Sequence, residues 1–304
     1  MEIGLHLPSA QPGATAEGIL EIALLAEELG FDAVWAFDHL LTPTSLASQY
    51  PYARAYPIGP SDPIFDPLAL FGVLAGKTSR LKLGTGVLIA AYRHPIVLAK
   101  ILASIERFAP GRLVLGVGAG WMREEFDALG VPFERPGARL EELVAALRAV
   151  WSDGPSRFDG ERYRWPEAGF APAPTRPIPI LIGGHSDVAL RRAARVGDGW
   201  AIALGKGQGA GVDAITARLE ALRAMRREEG TIDRPFELLC QNTLAFSDTG
   251  SPKLPFVGPA HFIAENLRRL RDAGVTMVDL AAYGPREAIA EAARRFVDEV
   301  RPLL

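Results

Sequence analysis

Residues 33–39 read Ala-Val-Trp-Ala-Phe-Asp-His, an apolar run that ends in an acidic residue and a histidine. A run of this length and composition predicts a buried β-strand. Asp38 and His39 therefore lie where the strand passes into a loop, which is where α/β enzymes carry their reactive side chains. A helix is predicted before the strand, over residues 15–29, and Gly30 ends it.

The same alternation of a short apolar run with a longer amphipathic segment continues along all 304 residues. Such an alternation is typical of βα units that share a parallel sheet. Helix starts are predicted at Asp66-Pro67, His94-Pro95, Ser186 and Pro285. Eight strands are predicted, at residues 2–8, 33–37, 81–89, 113–118, 179–183, 199–204, 237–246 and 276–282. Eight strands with helices between them predict a (β/α)8 TIM barrel, formed by residues 1–304 as one domain.

A doubly wound dinucleotide-binding sheet is the alternative architecture. Gly116, Gly118 and Gly120 follow one another near the end of the fourth strand, but Trp121 stands where the dinucleotide fingerprint requires its third glycine. We therefore interpret these glycines as a turn that lets a ligand approach the backbone closely.

Three segments interrupt the regular alternation, at residues 42–65, 152–176 and 247–259. They are rich in Pro, Gly, Ser and aromatic residues. Long insertions in a compact barrel are usually lids or walls of a binding site. The second is long enough for a small hairpin around Asp159-Gly160.

Composition limits the class of partner. The formal net charge of -3 gives no general attraction to nucleic acid or to an anionic membrane surface, so a small-molecule substrate is expected. The single cysteine, Cys240, excludes an intramolecular disulfide and lies in an apolar run typical of a buried thiol. Neither a secretory segment nor an apolar run of membrane-spanning length is found, and a cytoplasmic location follows as an expectation.

The carboxyl ends of barrel strands meet at one face, so the segments after the predicted strands share a common mouth. Gly183 and Gly184 precede the helix start at Ser186, and their backbone N–H groups could bind a phosphate. Lys206, after the next strand, could supply the countercharge. A plain turn and a solvated lysine remain the alternatives. No spacing of His, Asp and Glu resembles a metal site, and no Gly-x-Ser-x-Gly motif occurs.

The remaining histidines have simpler interpretations. His94 is expected to cap a helix and His261 to be solvated at the start of a surface helix. His6 lies late in the first strand, where it could face the mouth, although a core histidine is the default interpretation.

Several segments resemble the luciferase-like monooxygenase superfamily, and the resemblance extends over essentially the whole chain. They are Leu-Gly-Thr-Gly-Val-Leu at 83–88, Arg-His-Pro at 93–95, Gly-Arg-Leu-Val-Leu-Gly-Val-Gly-Ala-Gly-Trp at 111–121, Arg-Glu-Glu-Phe at 123–126, Pro-Ile-Leu-Ile-Gly-Gly at 179–184 and Gly-Asp-Gly-Trp at 197–200. The Asp38-His39 pair and the turn at residues 205–207 resemble the branch that uses the deazaflavin coenzyme F420 rather than FMN.

This resemblance implies a coenzyme in the barrel mouth, with its ring beside Asp38 and His39 as the catalytic pair. His39 would stabilise charge or move a proton during hydride transfer, a task that suits imidazole. Gly86-Val87 matches a non-prolyl cis peptide that bulges against the ring. The implied coenzyme contacts are Asp38, His39, Thr85, Gly86, Val87, Ala119, Gly120, Gly183, Gly184, His185, Lys206 and Arg286.

The chain departs from this branch at one position. The sugar-phosphate dehydrogenases of the branch carry a glutamate directly after the glycine turn of the fourth strand, where this sequence has Trp121. Sugar-phosphate oxidation is therefore disfavoured. Trp121, Tyr50 and Tyr56 are predicted to line a pocket for an apolar or aromatic substrate, the alternative being that they only pack the loop onto the barrel.

The sequence thus predicts a cytoplasmic oxidoreductase that moves a hydride between coenzyme F420 and an organic substrate. Two alternatives stay open: an FMN-dependent monooxygenase of the same superfamily, and a barrel that binds a flavin or deazaflavin without turnover. The resemblance also implies a homodimer or larger homo-oligomer, formed through the barrel helices.

Overall fold

The computed structural model describes residues 1–51, 54–203 and 211–304. Its strands are β1 (Glu2–His6), β2 (Ala33–Ala36), β3 (Lys82–Ile89), β4 (Leu113–Gly118), β5 (Ser156–Asp159), β6 (Arg164–Ala168), β7 (Ile180–Gly183), β8 (Gly199–Ala203), β9 (Glu237–Thr243), β10 (Ala245–Phe246), β11 (Val257–Gly258) and β12 (Met277–Ala281). Eight of them close into a parallel barrel in the order β1, β2, β3, β4, β7, β8, β9, β12. The predicted (β/α)8 barrel is confirmed.

Helices alternate with the barrel strands and form the outer layer. They are α1 (Ala16–Glu28), α2 (Pro67–Lys77), α3 (Pro95–Phe108), α4 (Arg123–Ala128), α5 (Pro136–Val150), α6 (Asp187–Val196), α7 (Val212–Glu228), α8 (Ala260–Asp272) and α9 (Arg286–Arg295), after which a π-helical turn and a 3₁₀ turn lead to the C-terminus. The predicted helix starts are confirmed. Thr15, Asp66, His94 and Ser186 each accept a hydrogen bond from a first-turn N–H with the side chain, and Pro285 is the residue before α9.

An apolar plug fills the lower part of the barrel. Its members are inward-facing strand residues: Ala33, Trp35, Val114, Leu181, Ala201, Leu239 and Met277. The Trp35 indole lies across the interior, since a Cβ added at Gly4 or Gly84 would fall 2.2 Å from its ring. Glycine is required at both positions because the ring occupies the space that a side chain would need.

A bulge in β3 shapes the barrel mouth. The pairing of β3 with β4 shifts register between Thr85 and Leu88, and the Gly86–Val87 peptide bond is cis. Thr85 and Val87 then fill space beside β4 and β7, where a Cβ at Gly116 or Gly118 would lie 2.1 Å from Thr85 O or 2.6 Å from Val87 Cγ2. Gly116 and Gly118 therefore lie within a strand and make room for the bulge, which corrects their interpretation as part of a turn.

The predicted insertions contain small strands of their own. The second forms the antiparallel hairpin β5–β6 around Asp159-Gly160, as predicted. The predicted strand at 237–246 is wrong at its end: β9 stops at Thr243, and Ala245–Phe246 forms β10, which pairs with Val257–Gly258 in the third insertion. The backbone leaves the barrel at this point.

No helix in the described parts of the chain combines the length and the apolar character that crossing a membrane would need. Cys240 lies fully buried in β9, and burial, with a smaller contribution from the charge of Asp279, raises the pKa of its thiol to about 12. A thiol in this setting is chemically inert at neutral pH.

Candidate active site

His39 is held by a carboxylate that comes from a distant part of the chain. Its Nδ1 atom lies 2.6 Å from Oε2 of Glu125, a fully buried residue of α4. The other Glu125 oxygen accepts hydrogen bonds from the backbone N–H groups of Leu40 (2.7 Å) and Leu41 (3.3 Å), while Tyr92 Oη donates to Oε2 at 2.5 Å. The carboxylate therefore keeps the imidazole proton on Nδ1 and leaves Nε2 for a bound molecule.

The protonation of Glu125 follows from these contacts. Burial alone would raise its pKa, but the hydrogen bonds and charge of His39, with those from Tyr92 and Leu40, outweigh burial and hold the pKa below its ordinary value. Tyr92 responds in the opposite sense, because burial and the hydrogen bond to Glu125 raise the pKa of its phenol. At neutral pH the group is an ionised carboxylate facing a neutral phenol.

Asp38 has a different task from its neighbour. Arg93 donates two hydrogen bonds to the Asp38 carboxylate, from Nη1 at 2.6 Å and Nη2 at 2.9 Å, and the Ile89 backbone N–H donates a third at 3.0 Å. Arg93 also donates to Asp66 at 2.5 Å, the residue that caps α2. The predicted catalytic pair is thus divided, because Asp38 serves an ion pair that fixes the strand end and the carboxylate partner of His39 is Glu125.

Three aromatic side chains form a wall beside His39. The His39 ring lies 5.4 Å from the ring of Tyr56 and 5.7 Å from that of Trp121, both edge-on. Tyr50 lies 5.3 Å from Tyr56 and 5.1 Å from Trp121. The residues predicted to line the substrate pocket are therefore packed together next to the candidate catalytic histidine.

Helix α4 also holds the loop that carries Tyr50. Oε1 of Glu124 accepts hydrogen bonds from the backbone N–H groups of Ala47 (2.7 Å) and Ser48 (3.0 Å), and the Arg123 N–H donates to Ser48 Oγ at 2.9 Å. Burial opposes ionisation of Glu124, but the hydrogen bonds from the Ser48 side chain and from the backbone of Glu124 itself, Ser48 and Ala47 lower its pKa to about 2. Two adjacent glutamates thus position two parts of the site, Glu125 the histidine and Glu124 the aromatic loop.

The predicted phosphate turn lies at the end of β7. Gly184 has a φ of 126°, which favours glycine, and the Trp200 indole N–H fixes the turn by donating to its carbonyl at 2.8 Å. Arg218 of α7 brings a cation to the turn, because it donates to the His185 carbonyl (2.5 Å) and to Asp187 (2.6 Å). Burial first, and the Arg218 charge second, lower the pKa of His185 to about 4, so its imidazole is neutral at physiological pH.

The remaining predicted contacts differ in their surroundings. Thr85 is buried and donates its hydroxyl to the Gly116 carbonyl at 2.7 Å, while Ala119 and Gly120 directly follow β4 at the mouth. Lys206 lies outside the described residues. Arg286, the first residue of α9, donates hydrogen bonds to Glu21 of α1 at 2.5 Å and to Glu287. The preceding strand, β12, is the third strand along the barrel from β7. The structure therefore places Arg286 against α1, and its contact with a coenzyme phosphate stays a prediction.

Comparison with known proteins identifies the family. A model of the luciferase-like monooxygenase family matches residues 1–251. The chain belongs to this family. A relative named F420-dependent glucose-6-phosphate dehydrogenase, from Kineococcus radiotolerans, is 32% identical over 281 residues, which are 90% of this chain and 77% of the relative.

An uncharacterised protein of Mycobacterium tuberculosis is 33% identical over 263 residues, which are 85% of this chain and 83% of that protein. The solved structure of an F420-dependent secondary alcohol dehydrogenase in complex with an F420-acetone adduct superimposes with a TM-score of 0.79 at 19% identity, covering 99% of this chain and 98% of that one. This last similarity shows a shared fold. The match of the family model, together with the relatives above 30% identity, confirms the predicted family.

Sequence reasoning missed several residues of this luciferase-like site. Glu125 lies within the Arg-Glu-Glu-Phe segment that carries the family resemblance, but its spacing from His39 gives no sign that the two side chains meet. Arg93 also lies in a segment of the family resemblance, Arg-His-Pro at 93–95, but nothing there indicates its contact with Asp38. Tyr92 and Arg218 carried no signal. Among the described residues, no group of three or more His, Cys, Asp or Glu side chains could hold a metal ion.

Proposed function

We propose that this chain is an oxidoreductase that uses coenzyme F420 and an apolar or aromatic organic substrate, with His39 as the residue that contacts the reacting group. When bound, the coenzyme supplies the carbon that accepts or gives the hydride. The observation that carries the proposal is the His39–Glu125 pair, which fixes one imidazole tautomer beside an aromatic wall. A neutral imidazole with Nε2 free can take a proton from a substrate hydroxyl or return one to a carbonyl.

Glu125 supports this chemistry from behind the imidazole. Its ionised carboxylate stabilises the positive charge that His39 acquires when Nε2 takes a proton. Asp38 is a positioning residue that does not contact the reacting group. Its ion pair with Arg93 fixes the end of β2 and therefore the backbone of His39. Tyr92 and the Leu40 N–H keep the carboxylate in place.

The residues at the mouth fit the proposed coenzyme. Gly86 and Val87 are partly exposed beside Gly183 and could support a flat ring, since a Cβ at position 183 would lie 3.0 Å from Val87. The Gly183–Gly184 turn, the start of α6 and the nearby Arg218 suit a phosphate group. Thr85, Ala119, Gly120 and His185 would border the coenzyme, and the contact from Lys206 stays a prediction.

Trp121 bears on the substrate class. It occupies the position at which the sugar-phosphate dehydrogenases of the F420 branch have an acid, and it packs with Tyr50 and Tyr56 next to His39. An indole cannot donate a proton in place of a carboxyl group, and the wall is apolar. This supports a substrate with an apolar or aromatic body over a sugar phosphate.

An FMN-dependent monooxygenase is the second candidate function. The specific observation in its favour is the Gly183–Gly184 turn, which would accept the phosphate of FMN equally well. A barrel that binds either molecule without turnover is the third. The arrangement of His39 and Glu125 supports catalysis, because a binding-only barrel has no need for an oriented imidazole.

Fluorescence titration of the purified protein with F420, and separately with FMN, tests the proposal. We expect micromolar binding of F420 and much weaker binding of FMN. Tight FMN binding without F420 binding would refute the coenzyme assignment.

Lys206→Ala should weaken F420 binding by about tenfold or more if a charge-assisted phosphate contact is lost. His261→Gln, on the exposed start of α8, is the matched control and should bind as the wild type does.

Turnover tests the role of His39. A panel of apolar and aromatic alcohols would be screened for reduction of F420, followed by the loss of the coenzyme's absorbance. With a substrate found, His39→Asn should retain F420 affinity and lose on the order of 10²- to 10⁴-fold in kcat. Unchanged turnover would remove His39 from the chemistry.

A homodimer is proposed as well. The helix pair α2 and α3 exposes Val73 (52%), Val97 (54%) and Phe108 (80%), apolar side chains that a second copy could cover. Light scattering after size-exclusion chromatography should give a dimer mass for the wild type and a monomer for Val73→Lys. Val188→Lys, on α6, is the control and should leave the dimer intact. The cytoplasmic location stays a prediction from the sequence.

A further inference from the structure

A buried hydroxyl without a partner lies in the aromatic wall beside His39. It is Oη of Tyr56, which is shielded from solvent and has no hydrogen-bond partner in residues 1–51, 54–203 and 211–304. A buried hydroxyl that makes no hydrogen bond costs stability, so native proteins keep few of them. In a pocket with otherwise apolar walls, a single polar group of this kind is typical of the contacts that orient a bound molecule. The unpaired hydroxyl therefore indicates a ligand atom at this place.

The hydroxyl is the inner end of the Tyr56 side chain. Tyr56 as a whole is partly exposed on the first insertion, whereas its Oη is buried, so the phenol points from the loop toward the interior. Its ring lies edge-on to His39 at 5.4 Å and to Trp121 at 5.3 Å. The charge of Glu125, which lies behind the imidazole, also acts on the phenol. The hydroxyl is therefore close to the histidine to which we assign the reacting group.

Tyr56 and His39 offer opposite halves of a hydrogen-bonding site. Burial, then the charge of Glu125 and then Tyr50 raise the pKa of the Tyr56 phenol well above its ordinary value, so Tyr56 is a neutral donor. The proton of His39 is held on Nδ1 by Glu125, so Nε2 can only accept. Together the two side chains present one donor and one acceptor.

We propose that Tyr56 is a specificity-determining residue, which donates a hydrogen bond to the oxygen of an alcohol whose own hydroxyl proton points to His39 Nε2. The inference rests on the proposed function and assigns its substrate to the alcohols with an apolar or aromatic body. A hydroxyl group has one hydrogen for His39 and a lone pair for Tyr56, so a single oxygen pairs with both side chains. A protonated amine has no lone pair for Tyr56, and a thiol is a weak acceptor.

The same contact persists when the alcohol is oxidised. The C–H bond gives its electron pair, as a hydride, to the deazaflavin of the proposed function, the O–H bond gives its proton to His39 Nε2, and a carbonyl forms. The Tyr56 O–H bond does not break. Its hydrogen bond strengthens as negative charge develops on the substrate oxygen, which favours the reaction. In the reverse direction, the carbonyl oxygen accepts from Tyr56 and from the protonated His39.

Binding of acetophenone to the protein without coenzyme tests the contact. α-Methylstyrene has the same shape, with a methylene group in place of the carbonyl oxygen, and is the matched ligand. A neutral His39 has no donor for a carbonyl, so the comparison isolates Tyr56. We expect saturation-transfer NMR to show acetophenone binding about tenfold more tightly than α-methylstyrene. The carbonyl carbon-13 resonance of bound acetophenone should also move downfield, as it does when a carbonyl accepts a hydrogen bond.

Tyr56→Phe keeps the aromatic ring and removes the hydroxyl. It should lose both the preference for acetophenone and the downfield shift, while its thermal unfolding midpoint without ligand should equal or exceed that of the wild type, because an unpaired polar atom is gone. Tyr163→Phe, in the second insertion, is the matched control and should keep the preference and the shift.

Three results would overturn the proposal. The first is an unchanged preference for acetophenone in Tyr56→Phe. The second is a wild type that binds neither ligand, or both equally well. The third is a Tyr56→Phe variant that unfolds at a clearly lower temperature than the wild type, since the hydroxyl would then have a structural partner.

The F420 titration is run separately, so the two proposals fail independently. A protein that binds acetophenone through Tyr56 but does not bind F420 loses the proposed function and keeps the Tyr56 contact. A protein that binds F420 but does not distinguish acetophenone from α-methylstyrene keeps the proposed function and loses the Tyr56 contact.

Discussion

Nδ1 of His39 lies 2.6 Å from Oε2 of Glu125, although 86 positions separate the two residues in the chain. The contact joins the end of β2 to the short helix α4, and the same carboxylate receives the backbone N–H of Leu40 and the hydroxyl of Tyr92. The orientation of one imidazole thus depends on three segments of the barrel mouth.

Replacing Glu125 by Gln should impair catalysis with little effect on coenzyme binding. The amide can donate to Nδ1 and would move the imidazole proton to Nε2, the atom that faces the substrate. An amide in place of the orienting carboxylate costs about 10⁴-fold in a serine-protease triad, so a loss of about 10²- to 10⁴-fold in kcat is expected here. The nitrogen-15 shifts of His39 report the tautomer without any substrate, and the wild-type tautomer in Glu125→Gln would contradict the assigned role. Glu124→Gln, on the same helix, is the control and should keep it.

Removal of one partner of the Arg93–Asp38 ion pair should destabilise the protein, because the other charge then stays buried without a partner. Arg93→Met leaves the Asp38 carboxylate buried and unpaired, which should lower the free energy of unfolding by about 3 to 5 kcal/mol. In Arg93→Met/Asp38→Asn the unpaired charge is gone, so part of this loss should be recovered. Urea denaturation of the wild type, both single variants and the double variant measures the coupling; additive effects would show that the pair does not interact.

Glu106 should make the free energy of unfolding decrease at acidic pH. It is buried, and its carboxylate accepts hydrogen bonds from the N–H groups of Thr175 (2.6 Å) and Arg176 (3.0 Å), which end the second insertion. Burial raises the pKa of Glu106, but these hydrogen bonds outweigh burial and lower it below 4.5. A lowered pKa in the folded state means that the stabilisation is complete above about pH 4.5 and is lost as the pH falls through the folded-state pKa.

Glu106→Gln should therefore be less stable than the wild type by about 1 to 3 kcal/mol at pH 7. The difference should shrink as the pH falls below about 4.5, because the wild-type carboxyl group also becomes neutral. Thermal unfolding of both proteins between pH 3 and pH 7 checks this, and a difference that is constant across that range would exclude an ionised Glu106 as its source.

Gly84 should tolerate no side chain. A Cβ at this position would fall 2.2 Å from the Trp35 ring, which is itself fully buried in the plug. Gly84→Ala should cost more than about 3 kcal/mol of unfolding free energy through overpacking. Gly169→Ala, where nothing lies within 4 Å of an added Cβ, should change stability by less than about 0.5 kcal/mol in the same denaturation experiment.

The local pattern of the sequence was sufficient to predict the barrel. Strands such as β4 and helix starts such as Asp66-Pro67 depend on a few neighbouring residues, and their bounds agree with the structure to within about two residues. The end of the predicted strand at 237–246 was wrong, because the departure of Ala245–Phe246 from the barrel depends on pairing with Val257–Gly258, a contact that apolar periodicity does not encode.

The site was predictable only in part. His39 was predicted as a site residue because a histidine at a strand end is a local feature, and its contact with Glu125 was missed because Glu125 approaches it through the tertiary fold. Asp38 was predicted to be catalytic for the same local reason, and its ion pair with Arg93 was missed because that contact also depends on the tertiary fold. Glycines such as Gly116 were assigned to ligand contact, whereas the bulge of a neighbouring strand accounts for them.

The buried Cys240 makes this protein convenient for site-specific labelling. The chain has one cysteine, which is buried and has a raised thiol pKa. Maleimide reagents should therefore not react with the folded wild type. A cysteine introduced at the exposed Ser45, on the loop that Glu124 anchors, would then be the single reactive thiol of the molecule. A fluorophore attached there would follow that loop in solution without background from the barrel.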